Sequence, residues 1–237
     1  NYKQMGGKVD PLYRTPFEGR GFLNTQSPLH GGKGINRGRQ THTAQYTSPK
    51  FGGIQLVANT TFSGANDETT GLGLRWSNKN IMAYVDYIGL QMASTEDNPD
   101  DIESWDGILG AEQEDCKIEN FCDTGSAIKV GGKFDADAFA VALQYEPVDT
   151  GEWEADVDYL FLAGTFNIDK NNAIHLTYGM ADYDEQGGES IDTDGLALAY
   201  NHKMSKMTNV YVGYGAKGSD VDKDDESMLS VGIRKKF

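Results

Sequence analysis

The sequence predicts an all-β protein, an antiparallel up-and-down β-barrel whose strands cross a membrane. Three observations support this fold class: apolar residues alternate with polar or small ones along most of the chain, the small residues lie on the polar face, and short connections alternate with long ones. Alternation with a period of two is typical of strands that have one apolar face.

The alternation divides the chain from residue 37 onwards into about eleven strands. In the last of these strands, Leu229, Val231 and Ile233 lie on one face, and Ser230 and Gly232 lie on the other. No stretch has the periodicity of a long helix, and no apolar run approaches the roughly 18 residues of a membrane helix. The predicted strands cover residues 37–48, 53–63, 70–77, 80–92, 128–134, 139–145, 153–168, 174–181, 195–201, 209–214 and 229–237.

The small residues of these strands share the polar face, as Ala140 and Ala142 do between Val141 and Leu143. A soluble barrel needs bulky apolar side chains to fill its interior. The pattern therefore predicts an apolar outer face and a polar inner face, which a barrel in lipid around a wet lumen requires. Aromatic residues that flank the strands fit two interfacial girdles; they are Tyr46, Phe62, Trp76, Tyr87, Phe134, Tyr145, Trp153, Tyr200, Tyr214 and Phe237.

The connections between the strands alternate in length and in charge. The short ones are 48–53, 77–80, 134–138, 168–172 and 202–206, and the long ones are 63–69, 93–125, 148–154, 182–192 and 217–226. The long set holds 26 of the 36 acidic residues. One end of the barrel should therefore have short turns and the other long acidic loops, which is the polarity of outer-membrane barrels.

The overall composition excludes some classes of protein. The chain has 237 residues, of which 21 are basic and 36 acidic, a net charge of −15, and 12 Tyr and 10 Phe. So many aromatic residues argue against a disordered acidic tail. The negative charge argues against a nucleic-acid-binding protein, which needs a dense Lys/Arg face to neutralise phosphates.

Cys116 and Cys122 are the only cysteines, and they lie close together in a polar, acidic stretch. This spacing favours one disulfide, which would imply an oxidising compartment. Two free thiols are the alternative. A zinc site is less well supported, because it needs about four ligands and no His lies nearby.

Several segments resemble one protein family. Residues 230–237 (Ser-Val-Gly-Ile-Arg-Lys-Lys-Phe), preceded by residues 209–215 (Asn-Val-Tyr-Val-Gly-Tyr-Gly), resemble the end of a Gram-negative general porin. Residues 37–53 are similar to the porin segment that leaves the inward-folded third loop and enters the sixth strand. Residues 7–14 resemble the segment that enters that loop.

The resemblance implies a single barrel domain over residues 1–237 that is incomplete at its N-terminus. General porins have about sixteen strands around a water-filled channel, so about five strands, on the order of 100 residues, would precede Asn1. Residues 1–36 would hold the end of a strand and the constriction loop, and residues 37–237 the eleven strands. Phe237 is similar to the C-terminal signal that the barrel assembly machinery reads. The resemblance further implies a homotrimer in the bacterial outer membrane, in contact with lipid and lipopolysaccharide.

The function that the resemblance implies is passive diffusion of small hydrophilic solutes and ions. Such a channel needs no nucleophile or cofactor; it needs a constriction lined by fixed charges that sort solutes by size and sign. The candidate constriction loop, about residues 8–36, offers Asp10 and Glu18 as acids and Arg14, Arg20, His30 and Lys33 as bases. On the wall, the alternation of inward and outward positions along each strand predicts the following inward residues: Arg37, Arg39, Arg75, Lys129 and Lys133, together with Asp86, Asp156 and Asp158.

We expect the arginines of the loop and wall to face the acids of the loop across the narrowest part of the channel. Arg14, Arg20, Arg37, Arg39 and Arg75 would then face Glu18 and Asp10, and the transverse field would orient polar solutes. The alternative is that Arg14, Arg20 and Lys33 only solvate a loop. The inward excess of Lys and Arg predicts a mild preference for anions.

Other functions remain as alternatives. A sugar-specific porin would need aromatic residues along the lumen, and parity places only Tyr84 and Tyr211 there. A secreted acidic β-protein that binds carbohydrate or a partner would also have alternating strands. An enzyme is the least supported, because the four His are isolated and lack a nucleophile motif. The acidic loops, residues 96–123 and 220–226, could bind Ca²⁺ or Mg²⁺ that bridges to lipopolysaccharide phosphates, although a solvated charged surface is the simpler interpretation.

Overall fold

A computed structural model describes residues 2–26, 43–61, 69–90, 125–149, 155–185, 190–220 and 225–236 of the protein. The described chain contains one helix, α1 (Tyr2–Val9), and eleven strands. The strands are β1 (Thr43–Thr47), β2 (Ile54–Thr61), β3 (Thr69–Ser77), β4 (Ile81–Leu90), β5 (Gly125–Asp135), β6 (Phe139–Asp149), β7 (Ala155–Asn167), β8 (Asn172–Glu185), β9 (Ile191–Lys203), β10 (Thr208–Ser219) and β11 (Glu226–Lys235). None of the described helical residues form a segment that is long and apolar enough to cross a membrane.

The strands form one sheet in which each strand pairs antiparallel with the next in the chain, from β1 to β11. This up-and-down order confirms the predicted fold class, and the eleven strands correspond one to one with the predicted segments. The first segment is the least complete, because residues 37–42 lie outside the described residues. In the described chain β1 and β11 are the two edges of the sheet.

The short turns all lie at one end of the sheet. They join β1 to β2, β3 to β4, β5 to β6, β7 to β8 and β9 to β10. Side-chain oxygens close two of them, since Asn78 Oδ1 accepts hydrogen bonds from the N–H groups of Asn80 and Ile81, and Asp169 Oδ1 from those of Asn171 and Asn172. The longer connections meet the opposite end, called the long-connection end below.

The apolar side chains of the strands face outward, as the sequence predicts. On β6, Val141 and Leu143 are 51% and 49% exposed, whereas Ala140, Ala142 and Gln144 on the other face are buried. The same alternation of exposure continues on β3, β4 and β9. Leucines and valines exposed in rows on neighbouring strands are the lipid-facing surface of a membrane barrel.

Most of the predicted girdle aromatics are exposed on this outward face. Phe62, Trp153 and Phe237 lie outside the described residues. The others are exposed, and they are Tyr46, Trp76, Tyr87, Phe134, Tyr145, Tyr200 and Tyr214.

The N-terminal segment differs from its prediction. Residues 2–9 form α1, where the end of a strand was expected within residues 1–36. Met5 and Val9 lie four residues apart on one face of the helix and pack with Tyr84, Ala142 and Phe161 on the inner face of the sheet. The helix therefore forms because its two apolar side chains find a buried surface.

Residues 10–26, called the docked loop below, continue from α1 along the inner face. Leu12, Phe17 and Leu23 are fully buried and pack with Ala197 and Ala199 of β9. A second inner cluster lies toward the long-connection end and does not include the loop; its buried members are Ile88, Ala127, Val148, Val157, Tyr159, Ala181 and Tyr183. The apolar core of the described chain thus sits on the inner face, largely between the sheet and the docked loop.

The predicted inward orientation of Asp156 and Asp158 is wrong. The buried, inward residues of β7 are Val157, Tyr159 and Phe161, and both aspartates are exposed on the outward face. They stand opposite Asp184 and Asp182 of β8 at the long-connection end. At that height the outward face carries carboxylates rather than apolar side chains, so polarity no longer indicates the inner face.

The orientation of β8 generates a paired prediction. Leu176 is exposed on the outward face, and the adjacent His175 faces inward, where it bonds Thr165. Leu176→Arg should lower the stability of the folded barrel in lipid by about 2–4 kcal/mol, because it places a charge in hydrocarbon. His175→Arg should cost less, because the inner face is polar. Urea titrations in lipid vesicles measure both, and equal losses would contradict the assigned faces.

Candidate functional site

The inner face with its docked loop is the candidate site, and Asp10 organises the loop from within. Its carboxylate accepts hydrogen bonds from the backbone N–H groups of Leu12 (2.7 Å) and Gly19 (3.0 Å), which closes the loop on itself. The side chain is buried. Burial, more than any other cause, raises the pKa of Asp10 from 3.8 to about 6, although the two N–H groups and Arg20 act in the opposite direction.

Glu18 contacts two arginines of the docked loop, Arg14 and Arg20. Its Oε2 accepts a hydrogen bond from the backbone N–H of Arg14 (2.8 Å), and its Oε1 lies 3.5 Å from Nε of Arg20. Both guanidinium groups lie over the ring of Tyr13, at 4.4 Å for Arg20 and 5.3 Å for Arg14. Arg14 adopts a φ of 64°, a conformation that favours glycine, so the Glu18 bond helps to hold a strained residue.

The wall beneath α1 carries two ion pairs between neighbouring strands. Arg75 Nη2 lies 3.4 Å from Asp86 Oδ2, and Lys129 Nζ lies 3.5 Å from Glu146 Oε1. Lys129 and Glu146 are both fully buried. Glu146 also accepts a hydrogen bond from Gln144 Nε2 (3.2 Å). These charges compensate one another inside the wall.

Other members of the predicted set lie apart from the loop. Arg75 pairs with Asp86 rather than with Glu18 or Asp10. Lys133 Nζ lies 2.9 Å from Asp135 Oδ2, at the end of β5 that meets a short turn. Arg14, Glu18 and Arg20 are brought together, whereas several predicted residues lie outside the described residues: His30, Lys33, Arg37, Arg39, Cys116, Cys122 and Phe237.

The prediction from sequence missed Arg234 of β11. Its Nη1 donates to the backbone oxygen of Tyr13 (2.8 Å) and its Nε to Asn209 Oδ1 (3.3 Å), so it ties the docked loop to the last strand. The alternation along β11 already places Arg234 on the inner face with Ser230 and Gly232, so the sequence alone was sufficient to predict it as a site residue. Glu146 was missed as well, although the alternation along β6 places it on the inner face with Ala142 and Gln144.

Within the described residues, no group of three or more His, Cys, Asp or Glu side chains is placed to hold a metal ion. The geometry instead supplies fixed charges along a polar wall. The side chains of Arg14 and Arg234 contact an aromatic ring and neutral oxygens, respectively, rather than a carboxylate of the described residues. Fixed charges on the wall of an aqueous channel can attract and orient charged solutes.

The burial of Asp10 generates a prediction about pH. Because its pKa in the folded chain lies above that of the unfolded chain, stability is greatest below a pH of about 4 and falls as the pH rises through about 6. Asp10→Asn should weaken this dependence and retain only part of the loop's hydrogen bonding. Thermal unfolding midpoints between these pH values measure it, with Glu18→Gln as a control that leaves the dependence intact. A wild-type midpoint that rises with pH over this range would contradict the prediction.

Comparison with solved structures shows which proteins share this fold. The anion-selective porin from Comamonas acidovorans is 15% identical, with a TM-score of 0.69, over 100% of this chain and 71% of that one. The trimer form of in-vitro folded OmpT from Vibrio cholerae is 14% identical (TM-score 0.59; 82% of this chain, 62% of that one). The outer-membrane channel DcaP of Acinetobacter baumannii is 12% identical (TM-score 0.55; 81% and 60%).

These identities show a common fold and no more. The chain spans less than two thirds of the length of the OmpT and DcaP chains. A search of curated protein sequences gave no match. The sequence profile of one family, described as Gram-negative porin, matches residues 4–222. The chain therefore belongs to the Gram-negative porin family, whose place is the bacterial outer membrane.

Proposed function

We propose that the protein forms a water-filled channel through which small hydrophilic solutes and ions diffuse passively across the outer membrane. One observation carries this proposal: the sheet is apolar on its outward face and polar or small on its inner face. Lipid outside and water inside require that distribution. Membership of the porin family supports the same function.

We further propose that the channel mildly prefers anions. The inward cations Arg75, Lys129 and Lys133 are offset by carboxylates within 3.5 Å. The guanidinium groups of Arg14 and Arg234 contact a ring and neutral oxygens, so their positive charge remains to act on solutes. The similar porin from Comamonas acidovorans is anion-selective.

A general channel fits the inner face better than a sugar-specific one. Tyr84 faces inward as predicted, but it is buried and donates a hydrogen bond to Gln144 (2.8 Å). Tyr159 and Tyr183 also face inward and are buried, with their hydroxyl oxygens 3.5 Å apart. Tyr211, the other aromatic residue predicted there, is partly buried and packs against the cluster of Leu12, Phe17 and Leu23. Rings that are covered in this way offer little surface on which a sugar could stack.

The remaining proposals concern partners and chemistry. We propose a homotrimer that works without catalysis or a cofactor, because diffusion needs none. A trimer form of the similar Vibrio cholerae OmpT supports this assembly state. Recognition of Phe237 by the assembly machinery, contact of the acidic loops with lipopolysaccharide through divalent cations, and a disulfide between Cys116 and Cys122 are parts of the same proposal.

Planar-bilayer recordings of the full-length protein test the channel and its selectivity together. Across a tenfold KCl gradient a perfectly selective pore would reverse at about 59 mV, and we expect a small fraction of this value, with the sign that indicates anions. Arg14→Gln combined with Arg234→Gln should move the reversal potential toward cation preference, because both charges border the lumen. Lys79→Gln, which removes an exposed turn charge, is the matched control.

Two results would contradict these proposals. Absence of conductance from correctly folded wild-type protein would contradict the channel itself. Reversal on the cation side, or an equal shift from the control variant, would contradict the anion preference and the part assigned to Arg14 and Arg234.

A further inference from the structure

The docked loop rests on a part of the wall that has almost no side chains. Gly179 of β8, Gly195 of β9, and Gly213 and Gly215 of β10 all face inward under the loop. Gly179 and Gly195 are opposite each other in the register of β8 and β9. Ala199 and Ala197 stand opposite Gly213 and Gly215. We call these four glycines the glycine floor.

Loop atoms occupy the space that side chains would fill on this floor. A Cβ built on Gly195 would lie 2.9 Å from both the backbone oxygen of Leu23 and Cγ2 of Thr25. A Cβ on Gly213 would lie 2.7 Å from Cε2 of Phe17 in the loop and 2.9 Å from Cβ of Ala199 on the neighbouring strand. A Cβ on Gly179 would overlap Cβ of Thr25. Real Cβ atoms essentially never approach this closely, so any side chain here would displace the loop or the strand.

The opposite arrangement holds where the loop meets β7. There the wall has a bulky, fully buried Phe161, and the loop has Gly19. A Cβ built on Gly19 would lie 2.8 Å from Cε2 of Phe161. Large residues of one surface therefore face glycines of the other on both sides of the contact, and this complementarity fixes the position of the loop.

The loop is also held laterally, so it cannot slide away from an added side chain. Asn24 Nδ2 donates to the hydroxyl of Tyr183 on β8 (3.1 Å), and within the loop Thr25 N donates to the backbone oxygen of Gly19 (2.6 Å), which stiffens the loop itself. Arg234 holds Tyr13 at the other end. The strands beneath are paired on both sides, which makes them the stiffer partner. The remaining direction of movement is away from the wall, into the lumen.

We propose that the glycine floor sets the cross-section of the channel by fixing how close the docked loop lies to the wall. This inference rests on the proposed function as a channel. Adding one methyl group under the loop pushes the loop inward, and the open area for solutes falls. The four glycines are thus positioning residues: they touch no solute, and they determine the size limit through the loop.

The test compares single-channel conductance of wild type, Gly195→Ala and Gly213→Ala in the full-length protein. Both variants should conduct less than wild type and should admit a narrower range of neutral polymers. The matched control is Gly132→Ala, because Gly132 faces outward, away from the loop. A Cβ on Gly132 would lie 3.0 Å from the backbone oxygen of Met82, and a Cβ on Gly213 would lie equally far from that of Leu198, so the two variants meet a neighbouring strand at the same distance. Heat-modifiable migration on gels confirms that each variant is folded.

A rescue variant separates displacement of the loop from distortion of the strand. Phe17→Leu removes the ring edge that a Cβ on Gly213 would meet and leaves the contact with Ala199 in place, so the double variant Gly213→Ala, Phe17→Leu should regain part of the lost conductance. The same pair should show non-additive changes in thermal unfolding midpoint, a readout of packing that does not depend on conduction. Folded wild-type protein without conductance would overturn the proposed function. A wild-type channel with equal conductance in the glycine variants and the control, or a double variant without rescue and with additive midpoints, would overturn the glycine floor.

Discussion

The structure depends on one constraint: a strand in hydrocarbon has no water to bond its backbone, so its N–H and C=O groups must pair within the sheet. Eleven consecutive antiparallel strands meet this demand for every strand that lies between two neighbours. Once the backbone is paired, the side chains decide what each face contacts. The side chains of Leu143 and Val141 then face lipid, and those of Gln144 and Lys129 face the inside of the barrel.

The inner face is subject to a second constraint, because its charged and small residues must be held in one arrangement. Lys129 and Glu146 are fully buried and neutralise each other, and in the proposed channel Arg14 and Arg234 supply the field in the lumen. The docked loop is organised by Asp10 from within, by Arg234 from β11 and by the glycine floor from below. In the proposed channel, selectivity depends on the arginines, whereas aperture depends on glycines that carry no charge.

Much of this fold follows from the sequence, because a period of two is a strong signal when it is repeated eleven times. The failures have physical reasons. Asp156 and Asp158 were misplaced because polarity marks the inner face only where lipid covers the outer one. Helix α1 has two apolar anchors in eight residues, too few for a periodic signal. The partner of Lys129 depends on the register between β5 and β6, which single-strand patterns do not contain.

The central claim is that the exposed apolar face of these strands borders lipid and the opposite face borders water. Spin labels at Leu56, which is outward and exposed, and at Gln55, its inward neighbour on β2, measure this directly once Cys116 and Cys122 are replaced by Ser. The account predicts that oxygen dissolved in lipid relaxes the Leu56 label and a water-soluble nickel chelate relaxes the Gln55 label. A Leu56 label open to the chelate and a Gln55 label shielded from it would contradict the account.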